Sequence, residues 1–369
     1  MLNLLYDSFF EPDGPFSFLR LFNYITSRAM FAALTGLAIS VLAGQRGILA
    51  LFRAGLTDRV RDYGVIDVSG KRGTPTMGGV IIVVATAVAA LLWCDLSNPY
   101  VLLVGGSLVW FSALGLVDDL KKNRHRDSEK GLSRWPKFGL QAVFGIGLGI
   151  ILYLPATSPL PPELRDVLQL PFVKTPVATL GWGSVLLTAL IITFAANAVN
   201  FADGLDGLAV VPAFFVAAVY GVFGYVLGNQ VYSSYLQFIK MPGAGELAIF
   251  CAGMVGASVG FLWYNAYPAE VFMGDAGSLP LGGVLGTLAA LLRQEVLFLL
   301  AGGVFLAEVL SVVLQDWVGL RILKRRIIYR APLHHTFQYM GMAETKIAVR
   351  FWIVSGLLMV ISLVSLKVR

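Results

Sequence analysis

The stretch NAVNFADGLDGL, Asn197 to Leu208, is a polar knot between two long apolar runs at roughly 182–199 and 208–227. Each run is close to the roughly twenty residues that carry an α-helix through a bilayer. Within the knot Asp203 and Asp206 lie three apart, and each precedes a glycine, Gly204 and Gly207. Glycine permits left-handed backbone and close approach of a ligand, so the segment reads as a tight, carboxylate-bearing turn. Alone it reads equally as a helix–helix connector made of ordinary turn residues. The other polar knots, and the side of the membrane they share, decide between the two.

Apolar runs of this kind recur along all 369 residues, of which 57% are hydrophobic types and 14% charged. Mean hydropathy is +0.75. That balance is too apolar for a soluble protein, and the fold class it predicts is an all-α polytopic integral membrane protein. About ten transmembrane helices are expected, at roughly 23–44, 76–94, 101–117, 136–154, 182–199, 208–227, 246–265, 279–293, 296–320 and 348–366. No internal repeat, low-complexity tract or long linker divides the chain, so residues 1–369 form one domain. The proline-rich connector 155–181 reads as an ordered cap or hairpin. Asp7, Glu11 and Asp13 precede the first base, Arg20, the reverse of a signal-peptide start, and no cleavage is expected. Cys94 and Cys251 lie in apolar runs and read as buried thiols.

The connectors alternate between two sides. About nineteen of the 28 Lys and Arg fall in or beside 45–75, 118–135, 200–207, 266–278 and 321–347. The positive-inside tendency makes that set cytoplasmic and both termini periplasmic. The net charge of +6 therefore speaks of topology and anionic partners, and not of nucleic acid.

Four further knots fall in the same set. VSGKRGTPTMGG, Val68 to Gly79, places Lys71 and Arg72 before a turn holding Thr76. A cation beside glycines and hydroxyls suits a phosphate, although the Walker order is absent. LVDDLKKNRHR places Asp118 and Asp119 side by side, with Lys122 and, further on, Lys137. Two such carboxylates repel, so a divalent metal or a lysine is expected beside them. Neighbouring helical residues point about 100° apart, so one can hold a metal while the other faces a substrate or an orienting lysine. The basic run serves equally as a surface for anionic lipid headgroups, and His125 within it as a solvated residue.

YNAYPAEVFMGDAGSLPLGG sets Asp275 between Gly274 and Ala276, with Ser278 behind it and Asn265 near its start. That position suits a hard-metal ligand at a helix start that can stabilise phosphate oxygens; an ordinary N-cap has the same pattern. RILKRRIIYRAPLHHTFQYMG holds His334 and His335, two of the 3 histidines. The arginines around them, and the lack of a third soft ligand, argue against zinc. Phosphate contact or proton handling fits better, and a basic amphipathic segment on the membrane surface is the alternative. Inside the spans Arg28 is expected to snorkel outward, and Glu308 and Gln315 are candidates to line the cleft.

In this order KRGTPTMGG, DDLKK, NAVNFADGLDGLA, MGDAGS and APLHH resemble the phospho-N-acetylmuramoyl-pentapeptide transferase family, one of the polyprenyl-phosphate N-acetylhexosamine-1-phosphate transferases. The likeness runs to KIAVRFWIVSGLL near the end of the chain. It implies a ten-helix, Mg²⁺-dependent, homodimeric enzyme of the bacterial inner membrane with its active site facing the cytoplasm. Phospho-MurNAc-pentapeptide would pass from UDP-MurNAc-pentapeptide to undecaprenyl phosphate, giving lipid I and UMP. The resemblance implies catalytic roles for Asp118, Asp119, Asp275 and His334, with Asp275 the Mg²⁺ ligand. Lys71, Lys122 and Lys137 would contact phosphates or nucleotide. Asn197, Asn200, Asp203, Asp206, Asn265 and Phe272 would line the uridine or pyrophosphate pocket. Thr76, Gly274, Ser278, Gln315 and His335 complete the expected substrate contacts.

Two positions depart from the family pattern. Thr336 stands where members carry a third consecutive histidine, and Asp67-Val68 where members carry one shortly before the first lysine. On this reading two anions must meet, and Mg²⁺, lysines and in-line positioning supply the acceleration. A phosphate monoester has a second pKa of about 6, so the acceptor is largely a dianion and needs no strong base. Direct attack with Asp118 as base or orienter is favoured; a two-step route through an aspartyl-phosphate is the runner-up. A sister enzyme moving GlcNAc-1-phosphate is the nearest rival, with APLHH and TPTMGG favouring the muramoyl reading. A secondary transporter would place ionisable groups near mid-membrane in repeated halves, whereas here the acids cluster at loop ends.

Overall fold

The computed structural model describes residues 21–57, 73–125 and 131–368, most of them helical. In chain order the helices are α1 (Ile25–Arg53), α2 (Gly79–Trp93), α3 (Pro99–His125), α4 (Arg134–Tyr153), α5 (Gly183–Ala202), α6 (Val210–Gly228) and α7 (Gln230–Tyr235). After these come α8 (Glu246–Asn265), α9 (Asp275–Leu291), α10 (Glu295–Ala301), α11 (Gly303–Val313), α12 (Leu333–Tyr339) and α13 (Glu344–Val364). Among the described residues eight helices are long and apolar enough to cross a membrane, α11 and the π-helix Leu314–Ile322 counting as one; α2 and α9 are shorter apolar helices. Helix is the form this composition dictates, because in lipid each backbone polar group must find its partner within its own segment.

α9 is the axis of the bundle. All 17 of its residues are buried, and α5, α3 and α2 pack around it. A helix apolar on every side belongs inside a bundle. At 1.5 Å per residue it is about 25 Å long, short of a hydrocarbon core of about 30 Å. Its first residue, Asp275, is thus held within the bundle end, only 7% exposed. α8 joins α1, α2 and α6 into the other half of the molecule, and α4 lies on α5.

Three sequence expectations change. Arg28 does not snorkel: it is buried, its guanidinium lies 2.6 and 3.0 Å from the Glu246 carboxylate, and it donates to the Trp93 carbonyl. A carboxylate 218 residues away in sequence outcompetes water for it. The third span does not stop at 117; α3 runs on to His125, since Leu and Lys are good helix formers, and Asp118 and Asp119 are therefore helical residues. The stretch expected as one span at 296–320 is broken at Gly302, between α10 and α11, and ends in the π-helix. Two adjacent glycines, the poorest helix formers after proline, mark the break.

The 155–181 connector does form an ordered hairpin, with Val167 paired to Thr179 and Leu168 to Ala178 in antiparallel register. Buried Arg293 anchors it by donating to the carbonyls of Leu164 (2.9 Å) and Arg165 while pairing with Glu295 at 3.1 Å. Cys94 and Cys251 are buried free thiols.

Candidate active site

Three carboxylates meet where α3 crosses the start of α9. Asp118, Asp119 and Asp275 are 1%, 5% and 7% exposed, and one oxygen from each lies within 4.8 Å of the others. Gly115 makes the crossing possible, because a side-chain carbon there would overlap the Asp275 carbonyl and stand 2.9 Å from the Ala276 Cα. Gly274, at φ 69°, turns the chain sharply into α9, a conformation glycine adopts without steric cost. Asp119 Oδ2 then accepts the Ala276 amide at 2.8 Å, one of the free N–H groups of a helix start. Asp118 Oδ1 accepts the Leu132 amide at 2.6 Å.

Two lysines enter the cluster. Lys122, one turn beyond Asp118, places Nζ 2.7 Å from Asp118 Oδ2, 3.1 Å from Asp275 Oδ1 and 3.7 Å from Asp119 Oδ1. Lys137 of α4 bonds to Asp275 Oδ2 and lies 3.4 Å from Asp118 Oδ2. Among the described residues two ammonium groups thus face three carboxyl groups, one acid more than the bases. Hard oxygens converging from two helices fit a hard divalent cation of the Mg²⁺ type. All three carboxylates could hold it.

The remaining knots converge on the same place. The turn after Gly73 is laced to the connector before Asp275: Phe272 N donates to Pro75 O at 2.8 Å, Gly78 N to Phe272 O at 2.8 Å, and Gly79 N to Met273 O at 2.9 Å. Thr76 Oγ1 and Asp119 Oδ2 both crowd the Gly274 backbone. Asn200 donates to Asp275 Oδ1 at 2.9 Å and to Ser278 Oγ at 2.8 Å, and Ser278 donates to Gly274 O at 3.0 Å. Asp206 accepts the Ala269 amide at 3.1 Å, and its own amide donates to Glu344 at 3.0 Å. Asn265 accepts from Gly207 N at 3.1 Å and donates to Val271 O at 2.9 Å. Asp206 and Asn265 therefore fasten one loop to the next. Phe272 is half-buried beside them.

Half-buried Asp203 caps the end of α5. Desolvation, and then the negative charges of Asp275, Asp119 and Asp206, push its carboxyl well above the usual carboxylate range. Asn197 lies one turn before Asn200 on α5; its amide nitrogen donates to Gln141 Oε1 of α4 at 2.6 Å and to Thr193 O at 2.7 Å, a fastening between α4 and α5.

In the fifth knot His334 is buried, its Nδ1 3.1 Å from Glu308 Oε2. His335 Nδ1 lies 2.8 Å from Gln338 Oε1. Thr336 closes its own loop, its hydroxyl donating to Arg330 O and accepting from Arg330 N at 3.4 Å. Gln315 spends its carbonyl oxygen on the amides of Ile327 and Ile328, at 3.2 and 3.0 Å. Lys71, Asp67 and Val68 lie outside the described residues. The sequence reading missed Gln141, Glu344 and the amides of Leu132 and Ala276. Backbone donors leave no mark in a sequence, and Gln141 was marked only by being a lone amide in an apolar span.

A family model described as glycosyl transferase family 4 matches residues 100–293. A second, described as phospho-N-acetylmuramoyl-pentapeptide-transferase signature 1, matches residues 71–83. The first match contains all three carboxylates, and the second contains the turn laced to Phe272.

Proposed function

The chain belongs to glycosyl transferase family 4, with the phospho-N-acetylmuramoyl-pentapeptide and polyprenyl-phosphate hexosamine-1-phosphate transferases, and from that premise we propose that it moves phospho-MurNAc-pentapeptide from its UDP carrier to undecaprenyl phosphate, giving lipid I and UMP. Family membership implies a nucleotide-sugar donor and a polyprenyl phosphate acceptor; the signature at 71–83 supports the muramoyl donor. The observation that carries the reading is the meeting of three buried carboxylates and two lysines at one end of the bundle.

Asp275 would hold Mg²⁺, with Asp118 and Asp119 beside it. When bound, the ion offsets the negative charge of the diphosphate. Lys122 and Lys137, already oriented by the carboxylates, turn toward phosphate oxygens as the donor enters. An acceptor phosphate oxygen then forms a bond to the sugar-linked phosphorus. The bond from that phosphorus to the UMP phosphate oxygen breaks, and UMP leaves with the electron pair. Asp118 orients the acceptor or takes a residual proton, and Asn200 holds Asp275 in place. Placing reacting groups in line accounts for most of the acceleration in such transfers. A bacterial inner-membrane location with the cluster facing the cytoplasm is supported by the Lys and Arg bias of the connectors at that end.

The test is transfer from radiolabelled UDP-MurNAc-pentapeptide by the full chain in vesicles containing undecaprenyl phosphate, with UDP-GlcNAc in parallel. Stoichiometric UMP and lipid-linked muramoyl peptide are expected, abolished by Asp275→Ala. Faster turnover of UDP-GlcNAc would replace the muramoyl reading with the GlcNAc one. A burst of UMP without lipid acceptor would replace direct attack with the aspartyl-phosphate route.

A further inference from the structure

Glu308 lies midway along α11 and is fully buried, and His334 is 1% exposed. A buried carboxylate is costly unless its oxygens are matched. Here a single residue matches both: the His334 backbone amide donates to Oε1 at 3.2 Å, and His334 Nδ1 faces Oε2 at 3.1 Å. A carboxylate only accepts, so Nδ1 carries the hydrogen and the ring is locked in one tautomer and one orientation. The far nitrogen, Nε2, is buried without a hydrogen-bond partner among the described residues. It lies under Gly204, where any side-chain carbon would overlap it. Buried polar atoms without partners are uncommon in folded proteins, and this one points into the turn that carries Asp203 and Asp206.

We infer that Glu308 is the positioning residue for His334, fixing the ring so that the unprotonated Nε2 accepts, at the Gly204 turn, a hydrogen bond from the P–O–H group of the acceptor phosphate in its monoprotonated form. Glu308 acts through the histidine and touches no substrate. The inference rests on the transferase reading for its chemistry; the ring geometry stands apart from it. Two devices serve the same end: the carboxylate sets the tautomer from behind, and the bare Gly204 leaves Nε2 its space in front.

With 3 histidines in the chain, nitrogen-15 histidine labelling of the full protein in lipid nanodiscs reads the tautomer directly, with His334→Asn making the assignment. His334 is expected as the Nδ1–H form in the wild type, and Glu308→Gln is expected to shift it toward Nε2–H. Glu308→Gln should lower kcat by about 100-fold, within the range of proton-handling groups, with KM for the donor changed less than about threefold. The Glu308→Gln/His334→Asn pair should be no slower than His334→Asn alone, the mark of residues acting as one unit. Gly204→Ala should lower kcat while leaving the Nδ1–H form in place. An Nε2–H ring in the wild type, an unchanged tautomer in Glu308→Gln, or losses that multiply in the double variant would overturn the inference. Should Glu308→Gln not fold, the wild-type tautomer and Gly204→Ala decide it. If the wild type transfers nothing, the functional reading fails while the tautomer still decides the role of Glu308.

Discussion

Replacing Gly115 by alanine puts a methyl group where α3 meets the start of α9. It would overlap the Asp275 carbonyl oxygen, and stand 2.7 Å from the Asp275 carbonyl carbon and 2.9 Å from the Ala276 Cα. Ordinary van der Waals contact begins at 3.4 Å, so this backbone must retreat by at least about 0.7 Å, and further at the carbonyl oxygen, an overpacking strain. The retreat moves the Asp275 carboxylate away from Asp118 and stretches the 2.8 Å bond from the Ala276 amide to Asp119. Misplacement by about 1 Å can cost about 100-fold where catalysis depends on positioning. We therefore expect kcat to fall by about 10- to 100-fold, scaled from that figure. Overpacking costs only about 1–3 kcal/mol, so the protein stays folded. UMP release in vesicles is the assay. Gly105→Ala and Gly106→Ala, on the same helix but facing open space, are the controls and should keep the wild-type rate. Wild-type turnover in Gly115→Ala would refute the claim that the α3–α9 contact sets the carboxylate geometry.

Other outcomes follow from the same contacts. Arg28→Met strands the buried Glu246 carboxylate and should cost about 3–5 kcal/mol of stability, much of it recovered by adding Glu246→Gln. Thermal unfolding measures this, and turnover per folded molecule should not change. Asp203 has a folded pKa above its ordinary value, so the folded state holds its proton more tightly and stability falls as pH rises from the ordinary carboxylate range through the folded pKa. Asp203→Asn should therefore raise the melting temperature more at pH 7 than at pH 4, measured with chelator present; a larger gain at pH 4 would contradict the assignment.

The spans were legible because a run of apolar residues near bilayer length has few other uses, and α4, α5, α6 and α8 lie within a few residues of their expected places, while α1 runs nine residues past its expected end. The turns that carry the polar residues were legible too, since Gly-flanked aspartates and a histidine pair are conspicuous in an apolar chain. Pairing was not. Nothing local in the sequence tells Arg28 that Glu246 will reach it, or Asn197 that Gln141 faces it, because both pairs join residues far apart in sequence. Asn265 and Asp206 show another limit. Their residue types suit a nucleotide pocket, and nothing in the sequence says that their polar atoms also fasten neighbouring loops. Helix ends were misjudged where charge was taken for loop, as at Asp118 to His125.

The central claim is that Asp118, Asp119 and Asp275 form one cation site at which the donor diphosphate is held. Mn²⁺ electron paramagnetic resonance on the full chain in nanodiscs, with UDP-MurNAc-pentapeptide and no lipid acceptor, tests it directly. The account predicts a bound Mn²⁺ coupled to donor phosphorus-31, with both binding and coupling lost in Asp275→Ala. Undiminished Mn²⁺ affinity and phosphorus coupling in that variant would place the chemistry elsewhere and contradict it.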